Sequence, residues 1–126
     1  MNDLEFILNF EENKLKGIWL SGIEYEGVFI RYHENGQIKE HSFYKNGDSH
    51  GEYKYYYVNG QLGVHSFWKN GKLHGDCKYY YKNGNLRLHS FWKNGKLHGE
   101  YKEYHENGQL MKHSLYENGK IIKKIV

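Results

Sequence analysis

The chain has 126 residues, a net charge of +3, 38% apolar residues, no proline and a single cysteine. This length suits one domain, and the lone Cys77 excludes a disulfide framework within the chain. Lysines and glutamates are interspersed rather than blocked, so no nucleic-acid arm is present and no nucleic-acid partner is expected.

Much of the apolar share is aromatic, with 13 Tyr, 6 Phe and 3 Trp. Aliphatic residues are too scarce for a thick two-layer core, and a thin sheet held by stacked rings suits the composition better. Without proline, nothing interrupts a long series of hydrogen-bonded strands. The opening stretch MNDLEFILNFEENK carries neither a basic leader nor a long apolar run. No secretory signal or membrane span is expected there, and the expected location is the cytoplasm, or the host cytoplasm if the source is viral. Within residues 1–26, FEENKLKG resembles the later FYKNGDSHG but lacks its Asn-Gly. We read residues 1–26 as degenerate capping strands.

From 27 to 119 a unit of 24 residues recurs four times. Asn-Gly falls at Asn35-Gly36, Asn59-Gly60, Asn83-Gly84 and Asn107-Gly108, and a second series falls at Asn46-Gly47, Asn70-Gly71, Asn94-Gly95 and Asn118-Gly119. His41, His65, His89 and His113 share the period, as do Ser42, Ser66, Ser90 and Ser114. Asn-Gly suits a two-residue type I′ turn, which needs positive φ at both positions. Two such turns per unit give two strands per unit, and no segment has helical periodicity. The expected fold is all-β: an elongated, single-layer antiparallel meander of β-hairpins, with residues 120–126 (KIIKKIV) as a C-terminal edge strand. Lysines on that strand are expected to discourage edge-to-edge pairing.

Two-residue turns at every Asn-Gly fix a register. Tyr57 then faces Leu62, Tyr55 faces Val64 and Tyr53 faces Ser66. Across the next turn Trp68 faces Leu73, Val64 faces Cys77 and Leu62 faces Tyr79. Because the period is even, the two faces never exchange. One face carries Tyr53, Tyr55, Tyr57, Leu62, Val64, Trp68, Leu73, Tyr79, Tyr81, Leu86, Leu88 and Trp92. The other carries Glu52, Lys54, Tyr56, His65, Phe67, His74, Asp76 and Lys78. In the outer repeats Arg31, Glu40, Glu103 and Lys112 replace aromatic or aliphatic residues of the first face, as polar terminal units of a repeat array require.

Nine histidines raise the question of a metal. Equivalent histidines lie two strands apart, about 9–10 Å, too far to share a zinc ion whose ligands lie about 2 Å away. We therefore expect no metal and no cofactor. The register instead pairs His41 with Glu52, His65 with Asp76 and His89 with Glu100. It leaves His113 opposite Lys124, without an acid. These pairs are expected to stabilise neighbouring strands. His74 falls beside Phe67 in a packing role. Cys77 replaces an aromatic residue (Phe29, Tyr53 and Tyr101 are its equivalents) and has no histidine partner, so a reactive thiol is not expected. The repeated serines leave room for facing rings.

Units such as KNGKLHGEYKEYHENGQL resemble variant MORN repeats, short β-hairpin repeats known from bacterial antitoxin-like proteins and giant viruses of amoebae. The resemblance implies a curved single-layer sheet with roles in protein assembly or membrane apposition. No nucleophile constellation, phosphate loop or HExxH motif accompanies it, so an enzyme is not expected. The aromatic stripe of Tyr53, Tyr55, Tyr57, Trp68, Tyr79, Tyr81 and Trp92 is the expected binding surface for a protein partner or a second copy of the chain, in a scaffold role. Lys54, Lys78 and Lys102 on the other face suggest an anionic membrane surface as the alternative partner.

Overall fold

The structure is a computed structural model that describes residues 13–18, as a backbone strand, and residues 26–126. The described residues contain no helix. Eleven strands build one open antiparallel sheet: β1 (Asn13–Ile18), β2 (Glu26–Tyr32), β3 (Ile38–Lys45), β4 (Asp48–Ser49), β5 (Gly51–Tyr56), β6 (Leu62–Lys69), β7 (Lys72–Tyr80), β8 (Leu86–Lys93), β9 (Lys96–Tyr104), β10 (Leu110–Glu117) and β11 (Lys120–Lys124). They follow sequence order as a meander, and the two-residue β4 pairs with β3 beside the main path. The expected meander is therefore the observed one. Of the proposed N-terminal caps, β1 pairs with β2; residues 1–12 and 19–25 lie outside the described residues.

The two Asn-Gly series make different turns. In the second series both residues have positive φ, Asn46, Asn70, Asn94 and Asn118 at 49–52° and their glycines at 79–82°. These are the expected type I′ turns. In the first series only the glycine is left-handed, as at Gly60 (φ 87°). Gly60 N–H bonds Tyr57 O at 2.9 Å and Tyr57 N–H bonds Gln61 O at 2.8 Å. That is a three-residue loop, a type I turn followed by a left-handed glycine, and not the two-residue turn expected. The asparagine side chain explains the difference. Asn59 Oδ1 accepts Gln61 N–H at 2.9 Å, while Asn59 Nδ2 donates to Lys82 O in the next loop at 3.0 Å.

A three-residue loop offsets the register by one, and a β-bulge then restores it. Tyr56 pairs with Leu62 but Tyr55 pairs with Val64, leaving Gly63 as the extra residue. Lys39, Arg87 and Met111 are extra at the same place in their repeats. Leu62 and Leu86 therefore lie on the side of Tyr56 and Tyr80, and the expectation that they join the aromatic face is corrected. The bulge recurs every repeat, so the separation of faces survives.

The other connection departs by two residues. Trp68 faces Leu73 as expected, but Ser66 pairs with Cys77 and Val64 with Tyr79. The expected pairs Val64–Cys77 and Leu62–Tyr79 are thus displaced. The extra residues surround Gly75 (φ 106°), and Gly99 (φ 112°) does the same between β8 and β9. A shift of two keeps every side chain on its own face. At the C-terminal end Lys123 stands where Gly99 stands one repeat earlier. A side chain disfavours that backbone region, and the shift there is a single residue, setting Lys124 against Ser114 rather than His113. His113 instead exchanges backbone hydrogen bonds with Ile125 and Val126.

The glycine step makes a specific expectation. Gly99→Ala places a Cβ 3.4 Å from Phe91 Cβ at a φ that only glycine adopts easily. The variant should lose about 1–3 kcal/mol in urea unfolding. An unchanged midpoint would show that the two-residue step does not depend on this glycine.

Candidate functional site

One layer of sheet offers little interior. Ile30 and Cys77 are the buried apolar residues among those described, and the four repeated serines are the buried polar ones. Side chains on each face are therefore held by rows of like neighbours, and those rows decide which groups remain available.

The seven aromatic residues expected to bind a partner lie along the same face of consecutive strands, but they are not equivalent. Tyr57 Oη donates to Tyr80 O at 2.6 Å and Tyr81 Oη donates to Tyr104 O at 2.7 Å. His33 makes the same link to Tyr56 O at 2.7 Å. These tips stitch each repeat to the next and are already engaged. Trp68 and Trp92 donate their indole N–H to Ser66 Oγ at 3.0 Å and Ser90 Oγ at 2.9 Å. The serines thus do more than leave room: they accept from the ring two residues on. The sequence signal was Ser-x-Trp, which becomes Ser-x-Tyr at Ser42 and Ser114, and those two hydroxyls lack a partner.

Tyr55 packs edge-on to Tyr57, with centroids 5.7 Å apart, and lies 6.4 Å from His33. Burial and the Glu40 carboxylate push the Tyr53 phenol up to about 12, and burial with Glu103 does the same at Tyr101. Tyr79 is the most open of the seven at 38% exposure.

Between these rings runs a trough of about 430 Å³. Gly63, Ser66 and Cys77 form its floor, and Tyr57, Trp68 and Tyr79 stand among its walls. Arg87 sits at the rim, its guanidinium 5.7 Å from the Tyr81 ring centroid. The sequence reading singled out the rings but missed Gly63 and Arg87. Their signal was a departure from the repeat, since the same bulge position holds Lys39 and Met111 elsewhere. Cys77 pairs with Ser66 and Ser90 and is 2% exposed. Burial pushes its thiol up, away from the reactive thiolate.

The opposite face is reordered by the two-residue shift. His41, Lys54, His65, Lys78, His89, Lys102 and His113 form one continuous row across seven strands, each paired with the next. Lysines, not acids, therefore stand directly opposite the histidines. The acids approach diagonally from the preceding strand instead: His65 Nε2–Glu52 at 2.8 Å, His89 Nε2–Asp76 at 3.6 Å and His113 Nε2–Glu100 at 3.5 Å. The expected pairs His41–Glu52, His65–Asp76 and His89–Glu100 are corrected, and His113 does have an acidic neighbour. Phenylalanines lie beside the histidines, with His65–Phe67 centroids at 5.1 Å and His89–Phe91 at 4.7 Å. His74 also takes part in a turn, its Nδ1 accepting Asn94 N–H at 3.2 Å.

Two expectations test these contacts. Ser90→Ala strands the Trp92 indole donor and should cost about 1 kcal/mol, whereas Ser114→Ala removes an unpartnered buried hydroxyl and should cost nothing. Equal losses in urea unfolding would overturn the assigned role. The hydrogen bond from His65, helped by Lys54, holds the Glu52 carboxyl below its ordinary range against an opposing effect of burial. A lowered folded-state value means stability that is present above the unfolded value and lost as pH falls through the folded one. Carbon-detected titration should show Glu52 rising toward the ordinary value in His65→Ala; no movement would refute the coupling.

Residues 25–46, 73–94 and 97–118 match the model of the MORN repeat variant family, together just over half of the chain. No curated protein matches the chain. The matched segments all end at the asparagine of a type I′ turn, Asn46, Asn94 and Asn118, so the match and the geometry describe one unit. Repeats of this family commonly serve as interaction modules and are generally non-catalytic. Periodicity, strand pairing and the match over three repeats agree that the chain belongs to the MORN repeat variant family.

Proposed function

We propose that this chain is a non-catalytic interaction or scaffold module, acting in the cytoplasm, whose aromatic sheet face binds a partner protein or a second copy of the chain. The observation that carries this reading is the trough between the rings of Tyr57, Trp68 and Tyr79. Among the described residues no second layer covers it. A contiguous apolar surface of this kind is characteristic of interaction sites. Aromatic side chains supply large contact area at low entropic cost, which suits them to that work.

The division of the rings selects the variant. Tyr57 and Tyr81 are tied to backbone carbonyls, so their removal confounds folding with binding. Tyr55→Ala combined with Tyr79→Ala leaves those links in place. The pair should abolish self-association in light scattering, or capture of a host partner, while the protein remains folded. A strict monomer whose captured partners are the same with and without the two rings would refute the proposal.

A second reading, adhesion to an anionic lipid surface, draws on the His–Lys row. Each lysine near such a surface contributes about 1 kcal/mol. Glu52 lies 3.5 Å from Lys54 and Glu100 lies 3.6 Å from Lys102, and these carboxylates offset much of that attraction. Flotation with phosphatidylserine vesicles, lost in Lys54→Glu/Lys102→Glu but kept in the tyrosine pair, would favour lipid over protein.

A further inference from the structure

Two departures from the repeat open onto the same place. Position 77 holds Cys where its equivalents are Phe29, Tyr53 and Tyr101, so a ring is missing from the row. Position 63 holds Gly where its equivalents are Lys39, Arg87 and Met111, so a long side chain is missing above it. Both small residues line the 430 Å³ trough. A Cβ on Gly63 would lie 3.0 Å from Tyr55 Cδ1 and Tyr57 Cε2, so the bare backbone is what lets those two rings close in from the side.

The charged side chain that lines the trough is a cation, and a carboxylate, Glu40, stands against the Tyr53 wall. That cation is Arg87, and no carboxylate pairs with it among the described residues. Lys82 Nζ lies 5.9 Å from the Tyr57 centroid on the same face. Glu40 is engaged by Arg31 at 3.3 Å. An occupant therefore meets aromatic walls together with Arg87 and Lys82, cations that pair with no carboxylate among the described residues.

We infer that this trough accepts one aromatic side chain of a partner protein, presented on an extended segment with carboxylates beside it. The ring replaces the one the repeat lacks at Cys77, against Trp68 and Tyr79. The carboxylate pairs with Arg87 at the rim. This inference rests on the aromatic face being the binding face, and it names what that face recognises. A lipid headgroup offers no ring for the floor, which sets the two apart.

The test uses the whole chain, labelled for amide NMR, titrated with the acetylated and amidated peptide Gly-Asp-Phe-Asp-Gly. Saturable shifts are expected at the Gly63, Ser66 and Cys77 amides, and not with Ala in place of Phe. Lys in place of both Asp should weaken binding by about tenfold or more, as loss of a charge-assisted contact does. Cys77→Tyr restores the ring that positions 53 and 101 carry, so the fold should hold while the peptide no longer binds. Should that variant unfold, Gly63→Met, the residue at position 111, fills the trough from its other side and decides the matter. Arg87→Met should remove the preference for Asp over Lys. Absence of saturable shifts in the unaltered chain, full binding by a filled variant, or equal binding of the Asp and Lys peptides would overturn the inference. Partner capture that survives Cys77→Tyr but not Tyr55→Ala/Tyr79→Ala would leave the binding face standing and remove this occupant.

Discussion

Each repeat cancels its own irregularities, and both faces of the sheet depend on that cancellation. Side chains alternate along a strand, so a net slip of one residue would move every ring to the opposite side. The three-residue loop introduces such a slip, and the bulge at Gly63, Arg87 and their equivalents removes it within four residues. The glycine step at Gly75 and Gly99 slips by two, which is harmless to the faces but moves each strand along its neighbour. Lys123 shows the alternative: with a side chain at the step, the slip is one.

Cohesion in this sheet comes from contacts between equivalent positions more than from a core. Phenol tips reach carbonyls 23 residues on, asparagine amides reach carbonyls in the next loop, and turn glycines reach back to the preceding hairpin, as Gly95 N–H does to Leu73 O at 2.9 Å. Each link joins neighbours in the stack, the arrangement in which stability builds up from repeat to repeat. A consequence for function is that rings serving the stack have their polar ends committed. The tyrosines therefore separate into those that stitch one repeat to the next, at 57 and 81, and those without such a link, at 55 and 79, of which Tyr79 is the exposed one.

The period, the two strands per unit and the aromatic face were legible because they depend on residue identity at fixed spacing. The turn types were not, because the same dipeptide Asn-Gly heads both series. What separates them is the asparagine side chain, which in one series caps its own loop through Gln61 or Asn85. The histidine partners were misplaced for a related reason. An evenly continuing strand would set Asp76 opposite His65, but two extra residues are absorbed around His74-Gly75. His65 consequently meets Glu52 from the strand before rather than Asp76 from the strand after. The serine acceptors are not legible from cross-strand pairing because their partner lies two residues along the same strand.

Repetition also constrains where a particular partner could be recognised. A position identical in every unit presents the same chemistry at each step of the stack and gives a segment no reason to settle at one step rather than another. Discrimination has to arise where units differ, since specificity is a difference of affinities between competing placements. On the aromatic face the central departures are Gly63, Cys77 and Arg87, which come from different strands and converge through the corrected pairing of Ser66 with Cys77. Had the uncorrected register held, Cys77 would have faced Val64 and the serine would not have joined it on the trough floor. The slip of two residues at Gly75 thus does more than accommodate a turn: it brings the two missing side chains of neighbouring repeats to one point on the sheet.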